Sequence, residues 1–169
     1  MCRGKCLCHD GAMEKAMIEK DERFLAQLKE HEGLRLFAYV CPAGRLTIGW
    51  GHNCEASPVD GVRKVGDRIT RSEAERLLAQ DVQICAEQLD AYAPCWRQME
   101  NARQAVLLNM CFNVGARSLR GFGKMWQALS LGNFEKAADE MLDSKWARKD
   151  VPRRAAKLAK QMRTGEWQE

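Results

Sequence analysis

A two-lobed α+β fold is predicted for this 169-residue chain by three features of its sequence. Apolar residues alternate with turn-forming Pro and Gly only between about residues 34 and 52, which marks a small hairpin lobe. Helical periodicity stands on both sides of that stretch, and one segment, ARQAVLLNMCFNVG at 102–115, is apolar over too much of its circumference to lie on a surface. A helix buried all round implies other helices packed around it, and a hairpin lobe set against a helical lobe leaves a cleft between them.

The elements follow in order. From about Ala12 to Glu30 apolar residues recur at Met13, Met17, Phe24, Leu25 and Leu28, and Gly33 follows as a helix terminator, so Glu32 sits at a helix carboxyl end. Leu36, Ala38 and Val40, then Leu46 and Ile48, read as two short strands joined by the Pro-Ala-Gly turn, with Gly49 and Gly51 at the exit. Residues 53–69 carry Pro58, Gly61 and Gly66 and read as loop with one further short strand. Thr70 opens a capping box with Glu73, and Ala74, Leu77, Leu78, Val82, Cys85 and Leu89 continue at three- and four-residue steps as a long connecting helix over about 71–91. The buried helix ends near Gly115, and further helices are expected at 117–130, 133–142 and 152–162. The predicted organisation is a cysteine-rich, flexible extension at 1–20 and one domain at 21–169, made of a small lobe (34–69), the connecting helix and a helical lobe (94–169).

Composition excludes several classes. Apolar residues at 46% and charged residues at 30% are ordinary for a globular protein and unlike a disordered one. The longest apolar run, Leu36–Cys41, is six residues, far short of the roughly 20 that span a bilayer, and the amino end has no signal-like apolar stretch. Synthesis in the cytoplasm, without membrane insertion, is the expectation. Eight cysteines are too dilute for a disulfide scaffold, so most should be thiols. Cys2, Cys6, Cys8 and His9 invite a zinc reading, but their spacing matches no standard site, and no metal is expected. The net charge of +4 is uneven: between Lys145 and Arg163 eight Lys or Arg face one acid, Asp150, which suits an anionic partner such as a wall polymer or is simply a solvated face.

The stretch HEGLRLFAYVCPAGRLTIGWGH at 31–52 carries the candidate chemistry. A helix carboxyl end and partial burial both disfavour an ionised Glu32, which suits a general acid donating to the oxygen of a glycosidic bond. Such chemistry needs a second group across the sugar that attacks the anomeric carbon or activates a water. Usually this is a carboxylate, but a thiolate such as that of Cys41 is also basic and nucleophilic. Thr47, on the returning strand, could hold a water between them. A thiol of ordinary pKa, roughly 8.5, is only a few per cent ionised at neutral pH, so nearby Arg or His charge is expected to assist.

The Glu32, Cys41, Thr47 intervals set in HEGLRL and TIGxGH resemble the phage-type lysozymes (endolysins) of glycoside hydrolase family 24, which have an aspartate in the middle position and in some members a cysteine. ITRSEAERLLAQDV resembles the family's lobe-linking helix, ARQAVLLNMCFNVG its central helix, and SKWARKDVPRRAAKLAKQMRTGEW its carboxyl-terminal region, so that roughly residues 22–167 are covered. The resemblance implies a two-lobed lysozyme fold and cleavage of the β-1,4 bond between N-acetylmuramic acid and N-acetylglucosamine in peptidoglycan, usually with inversion. Glu32 is then the proton donor, Cys41 takes the aspartate's place and Thr47 positions water. Asn113 and Arg154 are expected at the substrate, Arg154 also beside the glutamate, and His52 with Asp81 as a structural pair. Trp146 and Trp167 are expected to pack. No cofactor is implied. The expected protein is a monomer that binds glycan strands and not nucleic acid, a phage or prophage lysis enzyme reaching the periplasm with the help of a holin. Blocking disulfides in some of these lysozymes suggest an oxidative lock between Cys41 and one of Cys2, Cys6, Cys8 or Cys54. A lytic transglycosylase on the same fold and an inactive wall-binding module are the alternatives.

Overall fold

The computed structural model describes residues 17–168. The expectations placed on Met13 and on the cluster Cys2, Cys6, Cys8 and His9 lie outside the described residues. Ile18–Lys20, assigned to the extension from sequence, instead form a 3-10 turn on the core. Ile18 is buried, and the buried Glu19 accepts a hydrogen bond of 2.5 Å from Arg97. Helix α1 (Glu22–Glu32) begins ten residues later than its periodicity suggested. Asp21 is the reason: its side chain accepts from the amides of Arg23 and Phe24 at 2.9 and 3.1 Å and starts the helix there. Phe24 and Leu28 are fully buried on one face, and Gly33, at φ +68°, ends the helix in a conformation a side chain would resist.

Strands β1 (Arg35–Val40), β2 (Leu46–Gly49) and β3 (His52–Asn53) form one antiparallel sheet in the order β1-β2-β3, with Tyr39 opposite Thr47. The further strand expected in 53–69 is reduced to irregular pairing along the outer edge of β1, through Phe37 with Arg68 and the bonds of Ala38 with Asp67 and Gly66.

Helix α2 (Arg71–Tyr92) starts at the predicted capping box: Thr70 Oγ1 accepts from the Glu73 amide at 3.2 Å while Glu73 accepts from the Thr70 amide at 2.7 Å. After a 3-10 turn at Pro94–Gln98 comes α3 (Asn101–Val114), in which every residue from Ala102 to Cys111 is buried, as its apolar circumference requires. The helix expected at 117–130 is two, α4 (Ala116–Arg120) and α5 (Gly123–Ser130). The chain turns between them at Gly121, where a Cβ would stand 3.0 Å from the Ser118 carbonyl. Helix α6 (Phe134–Leu142), a π-helical turn (Trp146–Asp150) and α7 (Pro152–Thr164) complete the helical lobe.

Gln161 of α7, fully buried, donates to the Ala102 carbonyl of α3 at 2.8 Å and accepts from Gln27 of α1 at 2.8 Å, tying three helices together under the site. Among the described residues no helix is long and apolar enough to cross a membrane, and no group of three His, Cys, Asp or Glu side chains gathers as a metal site.

Candidate active site

Glu32 is the last residue of α1, and its carboxylate is gripped from the helical lobe. Arg154 of α7 donates from Nη1 to Glu32 Oε1 at 2.6 Å. The same guanidinium donates from Nε to Asn109 Oδ1 at 2.7 Å and from Nη2 to the Asn109 carbonyl at 3.3 Å. Asn109, on α3 and fully buried, turns its amide nitrogen to His31 Nδ1 at 3.2 Å. The chain of roles is therefore determined: arginine can only donate, so the asparagine oxygen faces it, the NH2 faces His31, and Nδ1 of that ring must be an unprotonated acceptor. A neutral His31 agrees with its lowered pKa, caused first by burial and then by the Arg154 charge.

Arg154, expected at the substrate, is 8% exposed and spends these bonds on Glu32 and Asn109. Sequence reasoning missed Asn109 and His31. The available signal was an asparagine in the middle of a fully apolar run, since a buried amide must find partners.

Gly51 passes directly over the other carboxylate oxygen. At φ +86°, a Cβ built there would lie 3.5 Å from Glu32 Oε2 and 3.9 Å from Phe112 of α3. A Cβ there would make ordinary contact with both, and it is the positive φ that favours glycine at this position.

Cys41 caps the other end of β1, where the hairpin turns. Its amide donates to the Arg45 carbonyl at 3.0 Å, and its carbonyl accepts from Gly44 at 2.8 Å. The thiol is held below its ordinary pKa, first by the Arg45 amide and next by the Thr47 hydroxyl; desolvation opposes them, and the Ala43 amide and the Arg45 charge add lesser help. Sequence reasoning expected Arg or His charge to supply this help. The turn's own N–H groups supply most of it, and charge contributes least. Thr47 is buried and its one hydroxyl proton faces two acceptors, the Arg45 carbonyl at 3.0 Å and the Cys41 sulfur. Tyr39, opposite Thr47 in the sheet, is raised in pKa first by burial, which the Arg35 charge opposes, with lesser upward contributions from Cys41 and Glu32.

A groove of about 1090 Å³ runs from the Cys41–Ala43 turn along the helical lobe, past Asn113, Phe122, Lys124, Glu140 and Trp146. Glu32 is not among its lining residues; its Oε2 lies by Gly51. Asn113 Oδ1 accepts from Trp146 Nε1 at 2.8 Å, which leaves the amide nitrogen as the donor a groove ligand would meet. Trp146 is 4% exposed and Trp167 packs partly buried against the core.

His52 and Asp81 are in contact between β3 and α2. Nδ1 lies 2.8 Å from Asp81 Oδ2, and Nε2 lies 2.8 Å from the Ser57 carbonyl. Both partners only accept, so the ring needs two protons to satisfy them. Burial opposes that charge, but the Asp81 hydrogen bond and charge and the Ser57 carbonyl outweigh it, and the pKa is raised.

Cys41, Cys54, Cys85 and Cys111 are free thiols. Cys54 bonds through its amide to Leu46 at the edge of β2 away from β1, so it is separated from Cys41 by two strand spacings, about 10 Å, against the roughly 7 Å a disulfide spans. The expected lock through Cys54 does not fit this geometry; Cys2, Cys6 and Cys8 lie outside the described residues.

The profile of the phage lysozyme family matches residues 29–163. The chain is similar to the endolysin of Salmonella phage P22, 34% identical over 149 residues that cover 85% of this chain and 97% of that one. It is likewise similar to the endolysin of Acyrthosiphon pisum secondary endosymbiont phage 1, 30% identical over 132 residues, 77% of this chain and 81% of the relative. The pre-baseplate central spike protein Gp5 of Enterobacteria phage T4 is 29% identical over 137 residues, 70% of this chain but 24% of that protein.

Proposed function

The chain belongs to the phage lysozyme family, and from that membership we propose that it is a peptidoglycan muramidase, hydrolysing the β-1,4 bond between N-acetylmuramic acid and N-acetylglucosamine. Glu32 donates a proton to the glycosidic oxygen as the bond breaks. The Cys41 thiolate takes a proton from a water that Thr47 helps to hold, and that water adds to the anomeric carbon, so the product has inverted configuration. Arg154, itself aimed by Asn109, fixes the acid's orientation, and the Asn113 amide binds an N-acetyl carbonyl in the groove. The observation that carries this reading is the hairpin turn aiming two amides and the Thr47 hydroxyl at the Cys41 sulfur, since a cysteine in the usual aspartate position serves as a base only if its proton is easily lost. The protein acts as a phage or prophage lysis enzyme, made in the host cytoplasm and reaching periplasmic peptidoglycan through a membrane lesion formed by a holin.

The test is clearing of outer-membrane-permeabilised Gram-negative cells by wild type, Glu32→Gln, Cys41→Ala and Cys41→Asp, each with reductant, together with NMR of the first-formed anomer on soluble glycan. Loss of roughly 10²–10⁴-fold in the first two variants, retention in Cys41→Asp and an α-anomer product are expected. Full activity of Cys41→Ala with a 1,6-anhydro product would identify a transglycosylase. Unchanged function of Glu32→Gln would identify a wall-binding module.

A further inference from the structure

One pair of nucleophilic side chains has no part in this chemistry. Cys85 of α2 and Cys111 of α3 face each other across the contact between the lobe-joining helix and the central helix, 9% and 1% exposed. Cys111 Sγ lies 3.8 Å from the Cys85 carbonyl, and the two thiols also share a hydrogen bond. The two thiols are thus neighbours across the α2–α3 contact, which is the placement a covalent link between these sulfurs needs.

We propose that Cys85 and Cys111 are a modification site: a thiol pair that closes to an intramolecular disulfide when the protein meets a disulfide oxidant, the glutathione disulfide class included. The shared hydrogen bond favours proton loss from Cys111 and retention by Cys85. In a local opening of the α2–α3 contact the Cys111 thiolate attacks one sulfur of the oxidant, forming a mixed disulfide and expelling one thiolate. Cys85 then loses its proton and attacks the Cys111 sulfur, forming the protein disulfide and expelling the second thiolate. The protein gives up two electrons and two protons; the oxidant becomes two thiols. Burial makes the first step slow and, once the link has closed, shields it from reductant.

The consequence follows from chain length. The link closes a loop of roughly 25 residues and so removes chain entropy from the unfolded state. The melting temperature of the oxidised form should rise by roughly 10 °C. This inference is independent of wall cleavage, and neither of its readouts involves that reaction.

The experiment uses the full chain, reduced and then incubated with glutathione disulfide at mildly alkaline pH. Remaining thiols are blocked with iodoacetamide under denaturing conditions, the digest is mapped by mass spectrometry, and thermal unfolding of oxidised and reduced samples is compared. Cys85 and Cys111 peptides joined, with the higher melting temperature, support the proposal, and Cys111→Ser should show neither change. Both thiols recovered as alkylated, or either joined to another cysteine, overturns it. So does a Cys85–Cys111 link that leaves the melting temperature unchanged or lowers it.

Discussion

Replacing Asp81 with Asn should destabilise the protein in a pH-dependent way whose sign the His52 geometry dictates. The ring is 2% exposed and holds two acceptors, so it is bound as the imidazolium. Removing one partner of a buried pair costs about 3–5 kcal/mol. Asp81 is 21% exposed in its side chain, so solvent screens part of the interaction. A discounted cost of about 2–3 kcal/mol is appropriate, equivalent to a fall in melting temperature of roughly 5–10 °C for a chain of this size. His52 has a folded pKa raised above the ordinary histidine value. The stabilisation is therefore fully present below the unfolded pKa, about 6.5, and is lost as pH rises through the folded pKa. Thermal unfolding of wild type and Asp81→Asn from pH 5.5 to 9.5 should show the widest gap at the acid end, closing with increasing pH; the comparison cancels titrations common to both proteins. A gap that is constant, or that widens with pH, would refute the charged pair and leave His52 as a neutral hydrogen-bonded side chain.

Other consequences bear on the site. Clearing activity of wild type should rise with pH through the Cys41 thiol's pKa, and Cys41→Asp should move that limb several units lower, toward the ordinary carboxylate value of about 4, as initial rates across pH would show. Gly51→Ala places a methyl beside Glu32 Oε2 at φ +86°; a loss of about 1–3 kcal/mol in denaturant titration and at least tenfold in clearing rate is expected. Asn109→Ala strips Arg154 of its side-chain acceptor on α3 and leaves the contact with the main-chain carbonyl. Stability should fall by about 1–3 kcal/mol, and kcat should drop with KM little changed, because the acid loses its aim while the groove is untouched.

The fold was legible wherever local chemistry and packing agreed. The capping box at Thr70, the all-round apolar run at 102–115 and the turn at Pro42–Gly44 each carry their cause in adjacent residues, and each stands where expected. Boundaries failed where a single residue overrides a periodic pattern, as Asp21 does by capping α1 and Gly121 by turning the chain between α4 and α5. The hydrogen-bonded chain Glu32, Arg154, Asn109, His31 was only half visible, because its members come from α1, α3 and α7 and no local spacing joins them. An isolated buried amide at Asn109 could have prompted a search for partners, but not named them.

Cys41, the middle residue of the proposed Glu32, Cys41 and Thr47 set, shows why composition alone understates a site. Judged by side chains, a thiol proposed as a base needs a neighbouring cation, and the charge of the nearby Arg45 side chain contributes the least of the stabilising influences on Cys41. What favours the thiolate is the backbone of a tight turn, whose amides at Ala43 and Arg45 point at the sulfur whatever side chains those residues carry. The strand register adds the Thr47 hydroxyl by placing it opposite Tyr39. Such donors keep their direction when charged side chains would swing into solvent, and salt screens them less. It follows that Arg45→Ala should leave clearing activity within a few-fold of wild type, whereas Thr47→Val, which keeps the strand and removes the hydroxyl, should cost roughly ten- to a hundredfold. Activity that tracks Arg45 and ignores Thr47 would return the site to the charge-assisted scheme its side chains first suggested.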